Sequence, residues 1–374
     1  MILNAIIIVL LSIQTIILVI FVCQSIRQRS LCTKTTSGAN KSNNLDDIDV
    51  VIAAKESYEI ISNCVSNLLS CGFNNIKLCI DGGDSSILKR LEESYPQVVF
   101  LQNKHSLGKI KSQLKCLEIS TKKNILILDA DISLIPNEVS GFVSYFLSSN
   151  ADFLCPYSVG ISSERNSLLF GIAESDRYMR QRVVRAGRDA YGVSNLSGYC
   201  MLADREKYID IIDTEAIQDD VIATINLFKK GYTVKTYHKA VCSEIERTSL
   251  KSYLLQKTRW TAGNIVLVKS YPILFKATTL TKAFAFTSSF LLWYWSLWVD
   301  FIAIIVGAFC PIIYYILFAE WLIKYWGLIK ASSPNKRFGF NALYCIAWPI
   351  FSTACLVLSP YYLMGKIVEN KTRR

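Results

Sequence analysis

The chain has 374 residues, room for about two domains at roughly one per 150 residues. Hydrophobic residues make up 51% and charged residues 19%, against roughly 25% charged in an ordinary soluble domain; this excludes a disordered chain and argues against a purely soluble enzyme. The net charge of +11 leaves nucleic acid, anionic lipid and phosphorylated substrates as partner classes, while a total of two histidines, His105 and His238, excludes a metal centre built on several imidazoles.

Residues 2–23 are nearly unbroken Ile, Leu, Val and Phe, interrupted by Asn4, Ser12, Gln14 and Thr15. About 20 apolar residues at 1.5 Å each cross a bilayer core of roughly 30 Å. No charged leader or small-residue cleavage site marks a signal peptide. Arg27, Arg29 and Lys34 follow the run and no positive side chain precedes it. The positive-inside rule then places the N-terminus outside and residues 27–282 in the cytosol. Residues 38–44 (GANKSNN) read as a linker.

From residue 49 the pattern becomes α/β. Short apolar runs at 50–54 (VVIAA), 76–83 (IKLCIDGG), 98–103 (VVFLQN) and 124–131 (NILILDAD) read as strands. Helical spacing fills the gaps at 60–69, 88–95 and 107–120. Strands alternating with helices predict βαβ units in a mostly parallel sheet covered on both faces. Ligands bind such sheets at the carboxyl ends of the strands. Asp81 and the pair Asp129/Asp131 stand at those ends.

Two carboxylates one residue apart at a strand end suit Mg²⁺ or Mn²⁺, which completes its shell with phosphate oxygens and water. A metal-bridged diphosphate is the natural guest; a helix cap or solvated turn is the alternative. Lys109, after Gly108 and ahead of a helix, can meet phosphate with help from the helix dipole, or simply be solvated. Gln218-Asp219-Asp220 opens a helix. An N-cap with a dipole-favoured first turn accounts for one Asp, and the second carboxylate suits a base. Gln256-Lys257-Thr258-Arg259-Trp260 lies in a helical stretch ahead of the next apolar blocks, where Arg and Trp also serve as interface anchors.

Those blocks, 283–308, 311–329 and 340–364, predict about three spans. Pro349 and Pro360 allow the last one to be re-entrant. Asp300 is a carboxylate inside an apolar block, either functional or marking a boundary. Twelve cysteines without a CxxC pair read as reduced, buried thiols.

In order along the chain, AAKE (53–56), Asp81, DAD (129–131), QDD (218–220) and QKTRW (256–260), flanked by apolar spans, resemble the membrane-bound family 2 glycosyltransferases. That group includes cellulose, chitin and hyaluronan synthases and, more distantly, ceramide glucosyltransferase. The QxxRW motif is its most specific element. The resemblance covers roughly residues 48–265 and implies a GT-A fold and inverting transfer from a nucleotide-sugar. It implies that Asp81 contacts the nucleotide base with Glu56 nearby, that Asp129 and Asp131 form the metal pair with Asp131 the main ligand, and that Lys109 sits near the diphosphate. It further implies Asp220, ahead of Asp219, as general base. By the same resemblance Gln256, Arg259 and Trp260 match the motif that closes over the diphosphate and stacks at the acceptor, and Gly198 falls where the family has a small-residue segment beside the acceptor. QD replaces the commoner residues before Asp220.

The expected organisation is a transmembrane helix at 1–26, a linker at 27–48, a GT-A domain at 49–265, an interfacial segment at 266–282, a membrane region at 283–365 and a basic tail at 366–374. The expected function is inverting transfer from a UDP-sugar onto a growing β-linked polysaccharide at the cytosolic face of the inner or plasma membrane. Single-transfer glycosylation of a membrane lipid is the alternative, and a carrier with a nucleotide-sensing domain is the rival from another class. About four spans is few for a polymer channel, which points to a lipid acceptor or a dimeric pore. No nucleic acid partner is expected.

Overall fold

The computed structural model describes residues 2–36, 45–55, 57–162, 167–214, 219–246, 249–268, 296–331 and 341–345, with 279, 282, 354 and 357–362. Glu56, Gln218 and much of the expected membrane region lie outside the described residues. The chain divides into two compact units, one of residues 30–161 and 194–245 and one of residues 1–29, 162–193 and 246–374.

The first unit is built on an eight-stranded sheet of order β3-β2-β1-β4-β7-β6-β8-β5. Its first half follows the sequence: β1 (Ile48–Ala54), α2 (Tyr58–Ser70), β2 (Ile76–Asp81), α3 (Ser85–Ser94), β3 (Val99–Asn103), α4 (Lys109–Glu118) and β4 (Asn124–Asp129). The strands β3, β2, β1 and β4 pair in parallel. Parallel strands covered on both faces need continuous apolar runs; Val50, Val51 and Ile52 of β1 and Ile125 to Leu128 of β4 are all fully buried. Each such side chain contributes about 1.5–3 kcal/mol by leaving water.

Beyond β4 the expectation of a mostly parallel sheet is corrected: the sheet is mixed. β7 (Cys200–Asp204) pairs antiparallel to both β4 and β6 (Phe153–Ile161). β6 runs parallel to β8 (Val234–Ile245), and the three-residue β5 (Ile132–Leu134) lies antiparallel to β8 at the edge. Between these strands run α5 (Pro136–Ser148), α8 (Arg205–Ile211) and α9 (Asp219–Lys230). Asn67 of α2 pins β5 by accepting from Leu134 N–H at 2.6 Å and donating to its carbonyl at 3.0 Å. That anchor fixes the far end of the turn after Asp129.

The second unit is helical. α1 (Ile2–Thr36) runs on as helix through part of the segment read as a linker. With it are α6 (Leu168–Tyr178), a π-helical stretch (Met179–Arg185), α7 (Ala186–Asp189), α10 (Leu250–Val268), α11 (Ser296–Gly307) and α12 (Ile312–Ala331). α1 approaches Gly187 so closely that a Cβ there would overlap the Phe21 ring. Small residues allow helix backbones such contact. Ile2–Gln28 and Ile312–Lys330 are, among the described residues, long and apolar enough to cross a membrane. Asp300 of α11 is partnered. Gln14 donates to it at 2.8 Å and to Glu320 at 2.7 Å, and Lys324 reaches Asp300 at 3.2 Å and Glu320 at 2.6 Å.

Candidate active site

The β4–β7 pairing assembles the site. Asp129, the last residue of β4, donates its N–H to the Tyr199 carbonyl at 3.0 Å, which seats the loop Gly198–Tyr199 beside the strand end. Lys109, the first residue of α4, reaches across. Its ammonium lies 2.6 Å from Asp129, 3.5 Å from Asp219, the first residue of α9, and 2.8 Å from the Gly198 carbonyl it donates to. Three separate elements therefore meet at one cation.

Burial works against the Lys109 charge, but Asp129 and Asp219 outweigh it and raise its pKa. Burial pushes the Asp129 carboxyl above its ordinary value; the Lys109 ammonium opposes this, and the charges of Asp131 and Asp219 add to the push. The cluster thus holds more negative than positive charge. Asp131 follows in the exposed turn. Asp220 lines the same small cleft, together with Gly198, Tyr208 and Ala223. A methyl group on Gly198 would lie 3.5 Å from Asp220 Cβ and 3.6 Å from Lys109 Nζ, so this glycine keeps open the space between base candidate and cation.

Asp81 stands one step back. Its two oxygens accept from Asn103 Nδ2 at 2.9 Å, Leu107 N–H at 2.7 Å, Ser106 Oγ at 2.8 Å and Gly108 N–H at 2.9 Å. Burial pushes this carboxyl up, but the four donors outweigh it and bring it down to about 2. Asp81 therefore folds the β3–α4 loop, and Gly108, at φ +94°, lets the chain turn into α4 with Lys109 aimed at the acids.

Among the described residues no three metal-ligating side chains form a group. Two carboxylates, Asp129 and Asp219, do converge on one cation, and Asp131 is near. Such a sparse, all-oxygen set fits Mg²⁺ or Mn²⁺ bound jointly with phosphate and water, and does not fit a closed protein cage.

The sequence-expected residues Lys109, Asp129, Gly198, Asp219 and Asp220 come together, while Asp81 acts on them through a loop. Gln256, Arg259 and Trp260 lie on α10 in the other unit, with Arg259 exposed. Tyr208 was not foreseen. It lines the cleft from α8 and donates to Gln113 Oε1 at 2.8 Å, and nothing in REKYIDI separates it from an ordinary helix tyrosine.

The chain resembles known proteins throughout. Its fold matches a mannosyltransferase from Pyrobaculum calidifontis, solved with GDP-Man and Mn²⁺, with a TM-score of 0.54 and 13% identity over 94% of this chain and 99% of that one. The sheet is accordingly of GT-A-like mixed type. An N-acetylglucosaminyltransferase of Mesorhizobium japonicum is 22% identical over 232 residues, 57% of this chain and 54% of the relative. A poly-beta-1,6-N-acetyl-D-glucosamine synthase of Staphylococcus aureus is 22% identical over 253 residues, 64% of this chain and 59% of the relative. The chain spans somewhat more than half the length of these relatives. The family described as Glycosyl transferase family group 2 matches residues 124–330. Because that match starts at the strand ending in Asp129 and covers more than half of the sequence, the chain belongs to glycosyl transferase family group 2.

Proposed function

We propose that the protein is an inverting, membrane-embedded hexosyltransferase that moves a sugar from a UDP-sugar onto a growing β-linked polysaccharide at the cytosolic membrane face, with N-acetylglucosamine the first sugar to test. The observation that carries this reading is the excess of carboxylates around Lys109 at the end of β4. A transfer centre needs a base for the acceptor and positive charge for the leaving group, and this cluster offers both. The N-acetylglucosaminyltransferase and the poly-beta-1,6-N-acetyl-D-glucosamine synthase that the chain resembles support the choice of N-acetylglucosamine.

In the proposed reaction Asp220 takes the proton of an acceptor hydroxyl as its oxygen attacks the anomeric carbon. The bond from that carbon to the diphosphate oxygen breaks, configuration inverts and UDP departs. General-base help is worth about 10²- to 10⁴-fold. Lys109 faces the leaving diphosphate, and charge stabilisation of this kind is often the largest single contribution. Asp129 and Asp131 would hold Mg²⁺ or Mn²⁺, which neutralises diphosphate charge when bound. The roles assigned to Asp81 and Glu56 at the nucleotide base, and to Gln256, Arg259 and Trp260 at diphosphate and acceptor, follow from the motifs.

The second reading is single-transfer glycosylation of a membrane lipid, because the roughly four spans expected from the apolar blocks of the sequence are few for a polymer channel. Purified protein in lipid is incubated with a panel of UDP-sugars, and the product is sized by mass spectrometry. A series spaced by one N-acetylhexosamine is expected. One sugar on a lipid replaces the polymer reading with the lipid one, and no turnover of any donor overturns both.

A further inference from the structure

Within the segment LLFGIAESDRYMRQRVVR, every residue of α6 from Phe170 to Tyr178 is buried although three of them carry charge. Glu174 is 2% exposed, Asp176 0% and Arg177 3%. Charges removed from water this completely must be paired. Arg177 is held by Glu174, at 2.8 Å, and by Glu246.

Asp176 has more varied partners. It accepts from Arg180 Nε at 2.9 Å in the π-helical stretch, from Lys257 Nζ on α10, and from the Tyr344 hydroxyl at 3.4 Å. Its two cationic partners meet again at one aromatic ring. Lys257 Nζ lies 4.2 Å and Arg180 Cζ 4.7 Å from the centroid of Trp260. Cations gather over the electron-rich face of an indole, but two of them also repel. Burial and the Arg180 charge bring the Lys257 ammonium down to about 7, with Asp176 opposing. One carboxylate is thus the counter-charge that lets two cations flank one tryptophan. Arg180, four residues after Asp176, lies in the π-helical stretch Met179–Arg185, and π-helical segments are frequent at functional sites.

We propose that Asp176 and Arg180 are positioning residues that set the orientation of the Trp260 ring for the transfer reaction. The inference deepens the reading of Trp260 as the acceptor-stacking residue and rests on it. Asp176 touches neither donor nor acceptor in this scheme; it acts through Lys257 and Arg180. A stacking ring displaced by about 1 Å costs on the order of 10²-fold in rate.

The full chain, labelled with 5-fluorotryptophan and held in detergent micelles, tests this by ¹⁹F NMR. The chain has seven tryptophans, and Trp260→Phe identifies the line of Trp260 by removing it. Asp176→Asn and Arg180→Leu are each expected to shift that line and to leave most others in place. A Trp260 line unmoved in both variants overturns the inference. Because this readout needs no turnover, it decides the positioning role even if no UDP-sugar is used, an outcome that would overturn the proposed function alone. With UDP-GlcNAc turnover in hand, Asp176→Asn should lower kcat about ten- to hundred-fold with donor KM unchanged. The double variant Asp176→Asn/Trp260→Ala should be no slower than Trp260→Ala, since both act on one contact. Multiplying effects would overturn the shared route. Arg180→Lys, which keeps the cation, should retain most of the rate and leave the NMR line near its original place. If Asp176→Asn fails to fold, the Arg180→Lys and Arg180→Leu pair decides by the same two readouts.

Discussion

Around Lys109 two carboxylates share one ammonium; around Asp176 two cations share one carboxylate. The exposures differ as well. The side chains of Lys109, Asp129 and Asp219 are each about a third exposed, whereas Asp176 is fully buried and Lys257 is 8% exposed, with Arg180, at 27%, the open edge of that cluster. A half-open cluster with surplus negative charge can exchange its cation, accept a proton or take a metal at modest cost. The sealed pair Asp176–Lys257 cannot change partners, because losing either member strands a charge out of water at roughly 3–5 kcal/mol. The first arrangement suits chemistry and the second suits holding a shape.

The largest expected effect separates these roles at once. Asp220→Asn should retain donor binding and lower transfer about 10²- to 10⁴-fold; near-normal turnover, measured with radiolabelled UDP-GlcNAc, would remove Asp220 from the reaction. Next, Lys109→Met should cost about 10²-fold in kcat. Without donor it should also bind Mn²⁺ more tightly by electron paramagnetic resonance, because the carboxylates lose their resident ammonium. Unchanged Mn²⁺ affinity would show that the exchangeable cluster is not where metal binds. Asp131→Ala is expected to weaken that Mn²⁺ signal, and full activity in excess chelator would sink the metal assignment.

Smaller effects sharpen the comparison. Asp81→Asn leaves some of its four donors without an anionic acceptor and should cost about 1–3 kcal/mol, read as a drop in Tm. The pH dependence has a definite sign. The folded pKa of Asp81 is lowered, so its stabilisation is complete above the ordinary carboxylate range and is lost only as pH falls toward about 2. Between pH 7 and pH 5 the gap in Tm between wild type and Asp81→Asn should therefore stay constant; a gap that closes in that window would show a weaker hold on the loop. The smallest change in stability is expected for Gly198→Ala, within about 0.5 kcal/mol. Its methyl meets only ordinary contacts, yet it fills the space between Asp220 and Lys109. Reduced kcat/KM at unchanged Tm is the expected signature.

The pattern of β1 to β4 was legible because central parallel strands must be apolar at every position, so VVIAA and NILIL stand out from any helix. The second half of the sheet was not. β6 contains Pro156 and a register shift beside it, and β5 is three residues long. β8 alternates only at its start, where Lys235 stands between buried Val234 and Thr236, too short a signal to mark a strand of twelve residues. The site followed the same division. Residues at strand ends and helix starts, Asp129, Lys109, Asp219 and Asp220, were visible as local motifs, since each depends on a few neighbouring positions.

What sequence alone determined was therefore the alternation of elements, the acidic strand end, the apolar helices and an order of motifs that resembles glycosyltransferases. Tertiary structure decided which charges are open and which are sealed. Glu174, Asp176 and Arg177 are sealed from water with the help of Glu246, 69 positions from Arg177, and Lys257, 81 positions from Asp176. No local periodicity encodes such a match. Burial of a charge is set by partners that arrive only when distant segments pack. The same holds for Lys109, whose meaning came from Gly198, 89 residues away, and from the antiparallel pairing that seats that glycine beside β4.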